Sequence, residues 1–176
     1  MVSKFLFILI SFALAGSQFE SSSSSILAAF NEKIELGDIN SLQSILNSNS
    51  KYIESPTAER YRNNGLTLAI KKRHASVVEL LLNKANVDAA SNDNRAIRLA
   101  ASNGDVEIVR MLLNRPEVNP GATSNEALVM AAKNGHTEIV RLLLENPKVN
   151  PLIGGGQELH FYMISLLDSL VFLNVH

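Results

Sequence analysis

The sequence predicts an all-α solenoid: about four short helix–turn–helix units stacked in a row, followed by a C-terminal apolar helix that caps the stack. Three observations predict it. First, Asn94–Pro151 contains one pattern twice, NRAIRLAASNGDVEIVRMLL and NEALVMAAKNGHTEIVRLLL, with Gly104 and Gly135, Pro116 and Pro147, Val118 and Val149, and Asn119 and Asn150 each 31 residues apart. A fixed period of this size is the signature of a stacked-repeat architecture. Second, stepping back by 31 lands on residues of matching type at Asn63, Leu66, Ala69, Val77, Val78, Leu81, Leu82 and Val87. Third, a fainter copy lies 36 residues earlier, at Gly37-Asp38-Ile39 with Leu42, Ile45 and Leu46. The five extra residues fall in a polar stretch where a loop absorbs them.

Each copy divides into two short apolar runs. Ala96–Ser102 is rich in small residues, as expected of a helix packed closely between neighbours. Asn103-Gly104 is the turn, because glycine tolerates the positive φ that a helix end requires. Val106–Leu113 places Ile108, Val109, Leu112 and Leu113 on one helical face. Glu107 and Arg110 lie on the other face, three residues apart, where opposite charges pair. Pro116 and Pro120 then oppose helix continuation. Asn63, Asn94 and Asn125 recur just before the first helices, where a side-chain oxygen is expected to cap free N–H groups. Neither helix is long enough to stand alone in water. Stability is therefore shared between units and their nearest-neighbour interfaces, and about three repeats are needed.

The pattern resembles the ankyrin repeat. AIRLAASNGDVEIVRMLLN and ALVMAAKNGHTEIVRLLLE match that family's helix–turn–helix, and Val118-Asn119 and Val149-Asn150 match the Val-Asn after the second helix. The resemblance covers about residues 26–151. Two departures stand out. The family's Thr-Pro-Leu-His opening is absent, with Asn64-Gly65-Leu66-Thr67, Arg95-Ala96-Ile97-Arg98 and Glu126-Ala127-Leu128-Val129 in its place. The period is 31 rather than 33, so the projecting fingers between units are expected to be stubbier. The repeats are expected at about 26–50, 63–90, 94–121 and 125–152.

The flanks differ in kind. Met1–Ser17 begins with Lys4, continues as an apolar run from Phe5 and carries small residues at Ala13, Ala15 and Ser17. It is too short for a membrane span, which needs about 20 apolar residues, and reads as a secretory signal peptide cleaved after Ala15 or Ser17. The expected location is the secretory pathway or outside the cell. The alternatives are a cytoplasmic protein with a buried N-terminal helix, or an uncleaved anchor, which alone would bring membrane contact. Gln18–Ser25, with five consecutive serines, reads as a flexible linker. Asn47–Asn63 reads as a loop. Residues 157–176 form an apolar helix or partial repeat, either buried against the fourth unit or marking a truncated regulatory fragment of a longer array.

Composition narrows the chemistry. A formal net charge of −1 over 176 residues argues against a nucleic-acid binder. The absence of cysteine excludes disulfides and thiol catalysis. His74 and His136 follow their turns at equivalent positions and read as structural. Glu158 and His160 lack a third metal ligand, and Gly154-Gly155-Gly156 lacks the rest of a phosphate-binding motif. Lys71-Lys72-Arg73-His74 reads as a solvated helix end. No nucleophile–base–orienter set can be assembled, so a non-enzyme is expected, without cofactor, metal or small-molecule substrate. The resemblance implies a monomeric protein–protein interaction module that uses the concave face of first helices and loop tips. By repeat position those residues are Arg62, Asp93, Arg95, Arg98, Ser102, Asn103, Ser124, Lys133 and Asn134. Arg98 also stands where the family's semi-buried histidine belongs, which gives it a structural role as well.

Overall fold

A computed structural model describes residues 24–49, 58–84, 86–151 and 153. The segment read as a signal peptide, most of the expected serine linker, part of the first long loop and the 157–176 segment lie outside the described residues. Among the described residues the fold is all-helical. The helices are α1 (24–36), α2 (Ile39–Ser48), α3 (Glu59–Lys71), α4 (Ala75–Lys84), α5 (Ser91–Asn103), α6 (Val106–Leu113), α7 (Ala122–Lys133) and α8 (Thr137–Leu144). They pair as α1–α2, α3–α4, α5–α6 and α7–α8, the four units that the period predicts.

The units stack in two layers. In the inner layer α5 packs between α3 and α7; in the outer layer α4 packs against α2 and α6, and α6 against α8. Small residues bring the inner helices together. Ala96, Ala100 and Ala101 of α5, and Ala127, Ala131 and Ala132 of α7, are all buried. At Gly65 an added Cβ would stand 2.8 Å from the Ile34 Cδ1 atom of α1, so a larger residue there requires the Ile34 side chain to shift. The outer helices bury the larger aliphatics, with Ile108, Val109 and Leu112 in α6 and Ile139, Val140 and Leu143 in α8. Burial of such side chains contributes roughly 1.5–3 kcal/mol each, and one continuous core runs from Phe30 to Val149.

Every unit turns by the same hydrogen-bonded closure. The residue after the turn donates its N–H to a carbonyl five positions back: Asp38 to Lys33, His74 to Ala69, Asp105 to Ala100 and His136 to Ala131. This is a Schellman cap, which needs a left-handed residue. Gly37, Gly104 and Gly135 supply it, with φ of 69°, 81° and 74°. The second unit puts Arg73 there instead, at φ 61°.

Several boundaries differ from the sequence expectation. Helix α1 begins at residue 24, so the last two serines of the run are helical. Helix α3 begins at Glu59, which takes Glu59–Asn63 out of the expected loop. Asp38 caps α2 by accepting from the Ser41 N–H at 3.1 Å and the Ser41 hydroxyl at 2.6 Å. The recurrent asparagines do not cap the first helices. Asn63 lies inside α3, and its Oδ1 accepts from the Asp88 N–H at 3.0 Å. Asn94 Oδ1 accepts from the Asn119 N–H at 2.6 Å. Asn125 donates to the carbonyls of Asn150, at 2.6 Å, and Ile153. Each therefore ties its first helix to the loop 25 residues on, satisfying backbone groups that leave the stack without a strand partner. The expected Glu107–Arg110 contact is also replaced: Arg110 reaches across units to Glu138 at 2.6 Å. The equivalent Glu138–Arg141 pair does form within α8, at 2.8 Å.

Candidate functional site

The segments joining one unit to the next approach the inner layer through tight left-handed turns. Asn92, Asp93 and Asn94 have φ of 54–58°, and Thr123, Ser124 and Asn125, 31 residues on, have φ of 52–61°. Left-handed backbone costs roughly 1–2 kcal/mol per residue outside glycine, least for Asn and Asp. The asparagine ties at positions 94 and 125 hold both turns in place. Regular right-handed helix resumes at Arg95 and at Glu126, and Asp93 and Ser124 are left exposed at the tips.

The residues expected at a binding face fall into two groups. Asp93, Arg95, Ser124 and Lys133 are exposed on the inner layer or its turns. Arg98, Ser102, Asn103 and Asn134 are spent on holding units together, and Arg62 on holding the loop of its own unit. Arg62 is 3% exposed and its Nε donates to the Asn86 carbonyl at 3.2 Å, so its guanidinium belongs to the interior. Arg98 pairs with Glu126 of the next unit at 2.5 Å and donates to the Asn92 carbonyl at 3.2 Å. Asn103 donates to the Ile70 carbonyl at 3.1 Å. Asn134 donates to the Ser102 carbonyl at 2.8 Å. The last two occupy equivalent positions before the turn and bridge to the preceding unit in the same way.

The histidines after the turns have a structural place. The His136 ring lies over Gly104, so close that a Cβ there would be 2.6 Å from Cε1, and its Nε2 is 3.1 Å from the Ser102 carbonyl. His74 sits likewise over Gly37, with Nε2 3.2 Å from the Glu35 carbonyl.

Sequence reasoning expected a concave face carrying Arg95 but missed the groove residues on α1 and α3. The groove runs across the inner layer of the first three units, lined on α1 by Asn31, Glu32 and Glu35, on α3 by Asn64, Leu68 and Lys71, and on α5 by Arg95. A second hollow continues from it, sharing Asn64, Asn92 and Arg95 and adding Glu59, Arg60 and Asp88. Stepping Arg95 back by one period gives Asn64, so the repeat register alone would have added Asn64 to Arg62 on the second unit.

Among the described residues, no group of three or more histidines and carboxylates is arranged to hold a metal ion. No helix among them is long and apolar enough to cross a membrane. A family model described as ankyrin repeats (3 copies) matches the chain over residues 26–124 and over residues 99–160. No curated protein matches it.

Proposed function

The chain belongs to the ankyrin-repeat family, whose repeats are generally protein–protein interaction modules, and from that premise we propose that its inner layer and left-handed turns bind a protein partner. The observation that carries this reading is a contrast between equivalent positions. Core positions repeat in type: Leu66, Ile97 and Leu128; Ala69, Ala100 and Ala131. Inner-surface positions one or two residues away do not: Asn64, Arg95 and Glu126; Thr67, Arg98 and Val129; Lys71, Ser102 and Lys133. The stack fixes the first set; within the second, Arg98, Glu126 and Ser102 join neighbouring units, and the exposed Asn64, Lys71 and Arg95 remain available for recognition.

The test is the affinity of a purified partner for an Arg95→Glu/Lys133→Glu variant. Binding weakens while the melting temperature holds. Unchanged affinity moves the interface elsewhere.

The same proposal places the protein in the secretory pathway, on the strength of the Met1–Ser17 pattern alone. Expression in a eukaryotic host and intact mass measurement test it. A species in the medium lacking about 15–17 residues supports the signal peptide; a full-length species confined to the lysate rejects it.

A further inference from the structure

Most basic side chains of this protein are occupied. Lys33 pairs with Glu32 and Lys72 with Glu35. Arg73, Arg98, Arg110 and Arg141 pair with carboxylates of their own or the next unit. Arg115 and Lys148 donate to backbone carbonyls of the preceding unit, and Arg62 and Lys133 are also engaged. Among the described residues, three placed cationic side chains have neither a hydrogen bond nor an ion pair: Arg60, Lys71 and Arg95. All three line the inner groove or its continuation, and all are exposed.

The acidic groups there are placed differently. Glu32 and Glu35, on the α1 wall, are already neutralised by Lys33 at 3.0 Å and Lys72 at 3.6 Å. Asp88 Oδ1 accepts from the Ala90 N–H, and Glu59 stands beside Arg60 in the continuation. The uncompensated charge in the groove proper is therefore that of Lys71 and Arg95, on its α3 and α5 walls. Asn31, Asn64 and Asn92 add neutral hydrogen-bonding groups, and Leu68 offers the one large apolar contact. Paired charges elsewhere on the surface have nothing to gain from a partner; these two do.

We propose that this groove takes an acidic segment of a protein partner, with carboxylates meeting Lys71 and Arg95. The proposal rests on the inner-face reading above and adds the chemistry of the occupant. Association is steered by charge, so its rate falls with salt.

A fluorescein-labelled glutamate-rich peptide is the probe, read by anisotropy against the full chain at low and high ionic strength, with a lysine-rich peptide as counterpart. The acidic peptide binds, the basic one does not, and affinity declines as salt rises. Lys71→Glu/Arg95→Glu weakens binding by about tenfold or more, since each site turns from attraction to repulsion. Arg110→Glu, on the outer layer, leaves it within about twofold. Arg110→Glu changes the net charge by half as much, so a loss half as large in logarithmic terms as that of the double variant would mean that net charge alone attracts the peptide, and would overturn the proposal. So would equal binding of both peptides, or binding of neither. A separate arm distinguishes that failure from failure of the inner-face reading. Asn64→Trp places bulk in the groove without changing its charge. If it weakens a purified partner while the acidic peptide fails to bind, the inner face stands and the charge assignment falls. If it leaves the partner unaffected as well, both fall.

Discussion

Arg73 and Asp105 face each other across the junction of the second and third units, with Nε and Nη2 both 2.7 Å from the same carboxylate oxygen. At the equivalent junctions the partners are Gly37 with His74 and Gly104 with His136. The chain thus uses two solutions at one seam. A bare glycine receives the flat face of an imidazole, or a left-handed arginine is held by an aspartate. The second solution gives up backbone ease for an ion pair whose arginine is 61% exposed.

Converting that seam to the glycine–histidine form is expected to stabilise the protein. Arg73→Gly relieves a left-handed non-glycine residue, worth about 1–2 kcal/mol, while the exposed ion pair it forfeits contributes about 0–1. Combining it with Asp105→His restores the ring-on-glycine contact. Urea denaturation of both single variants and the double should show favourable coupling of about 1 kcal/mol. Additive effects would mean that the two positions are independent.

Asn63→Ala is expected to cost about 1–3 kcal/mol, because it strands the Asp88 N–H that Asn63 now satisfies. The loss should also free the segment that leads into α5, seen as faster amide exchange over residues 86–90. A helix-capping role would instead loosen the start of α3, so the location of the change decides between the two.

Leu112→Ala and Leu143→Ala each empty a fully buried site and are expected to cost about 2–5 kcal/mol. Leu112 lies in the third unit, between two neighbours, so its loss should lower amide protection in α4 and α8 as well as α6. Protection lost in α6 alone would contradict nearest-neighbour stacking.

Acid is expected to weaken the fold through two carboxylates. Asp38 is held below its ordinary pKa by the Ser41 hydroxyl and N–H. Glu138 is held below its own by Arg141 first, with Arg110 adding to the effect. A carboxylate whose pKa is lower in the folded state stabilises that state above the unfolded value, and the effect fades as pH falls through the folded one. The melting temperature should therefore be level near neutrality and drop below about pH 4. Asp38→Asn should reduce that slope; an unaltered slope would remove Asp38 as a contributor.

The period made the four units legible before any coordinates, because stacking repeats the same burial at the same spacing. Turn glycines at 37, 104 and 135 were legible for the same reason, and so was the structural place of His74 and His136. What the sequence concealed was the use made of polar side chains. Asn63, Asn94 and Asn125 have the composition of caps, and only the stack reveals loops 25 residues on that need their hydrogen bonds more. Arg62 and Asn103 look like surface residues by repeat position, yet the loop of its own unit brings the Asn86 carbonyl within reach of Arg62, and the preceding unit brings the Ile70 carbonyl within reach of Asn103. Arg73 is a glycine position occupied by another residue, which local propensity alone disfavours; Asp105, 32 residues away, explains it. The concave face was expected, but its α1 and α3 walls escaped notice because the groove belongs to no single unit: three first helices contribute to it.

The central claim is that a protein partner is met by the inner layer and its turns. Site-specific photocrosslinking tests it most directly, with a photoreactive side chain placed singly at exposed inner positions 64 and 95 and exposed outer positions 79 and 107. The account predicts partner adducts from Asn64 and Arg95 and none from Glu79 or Glu107. Adducts from the outer positions, with none from the inner ones, would contradict it.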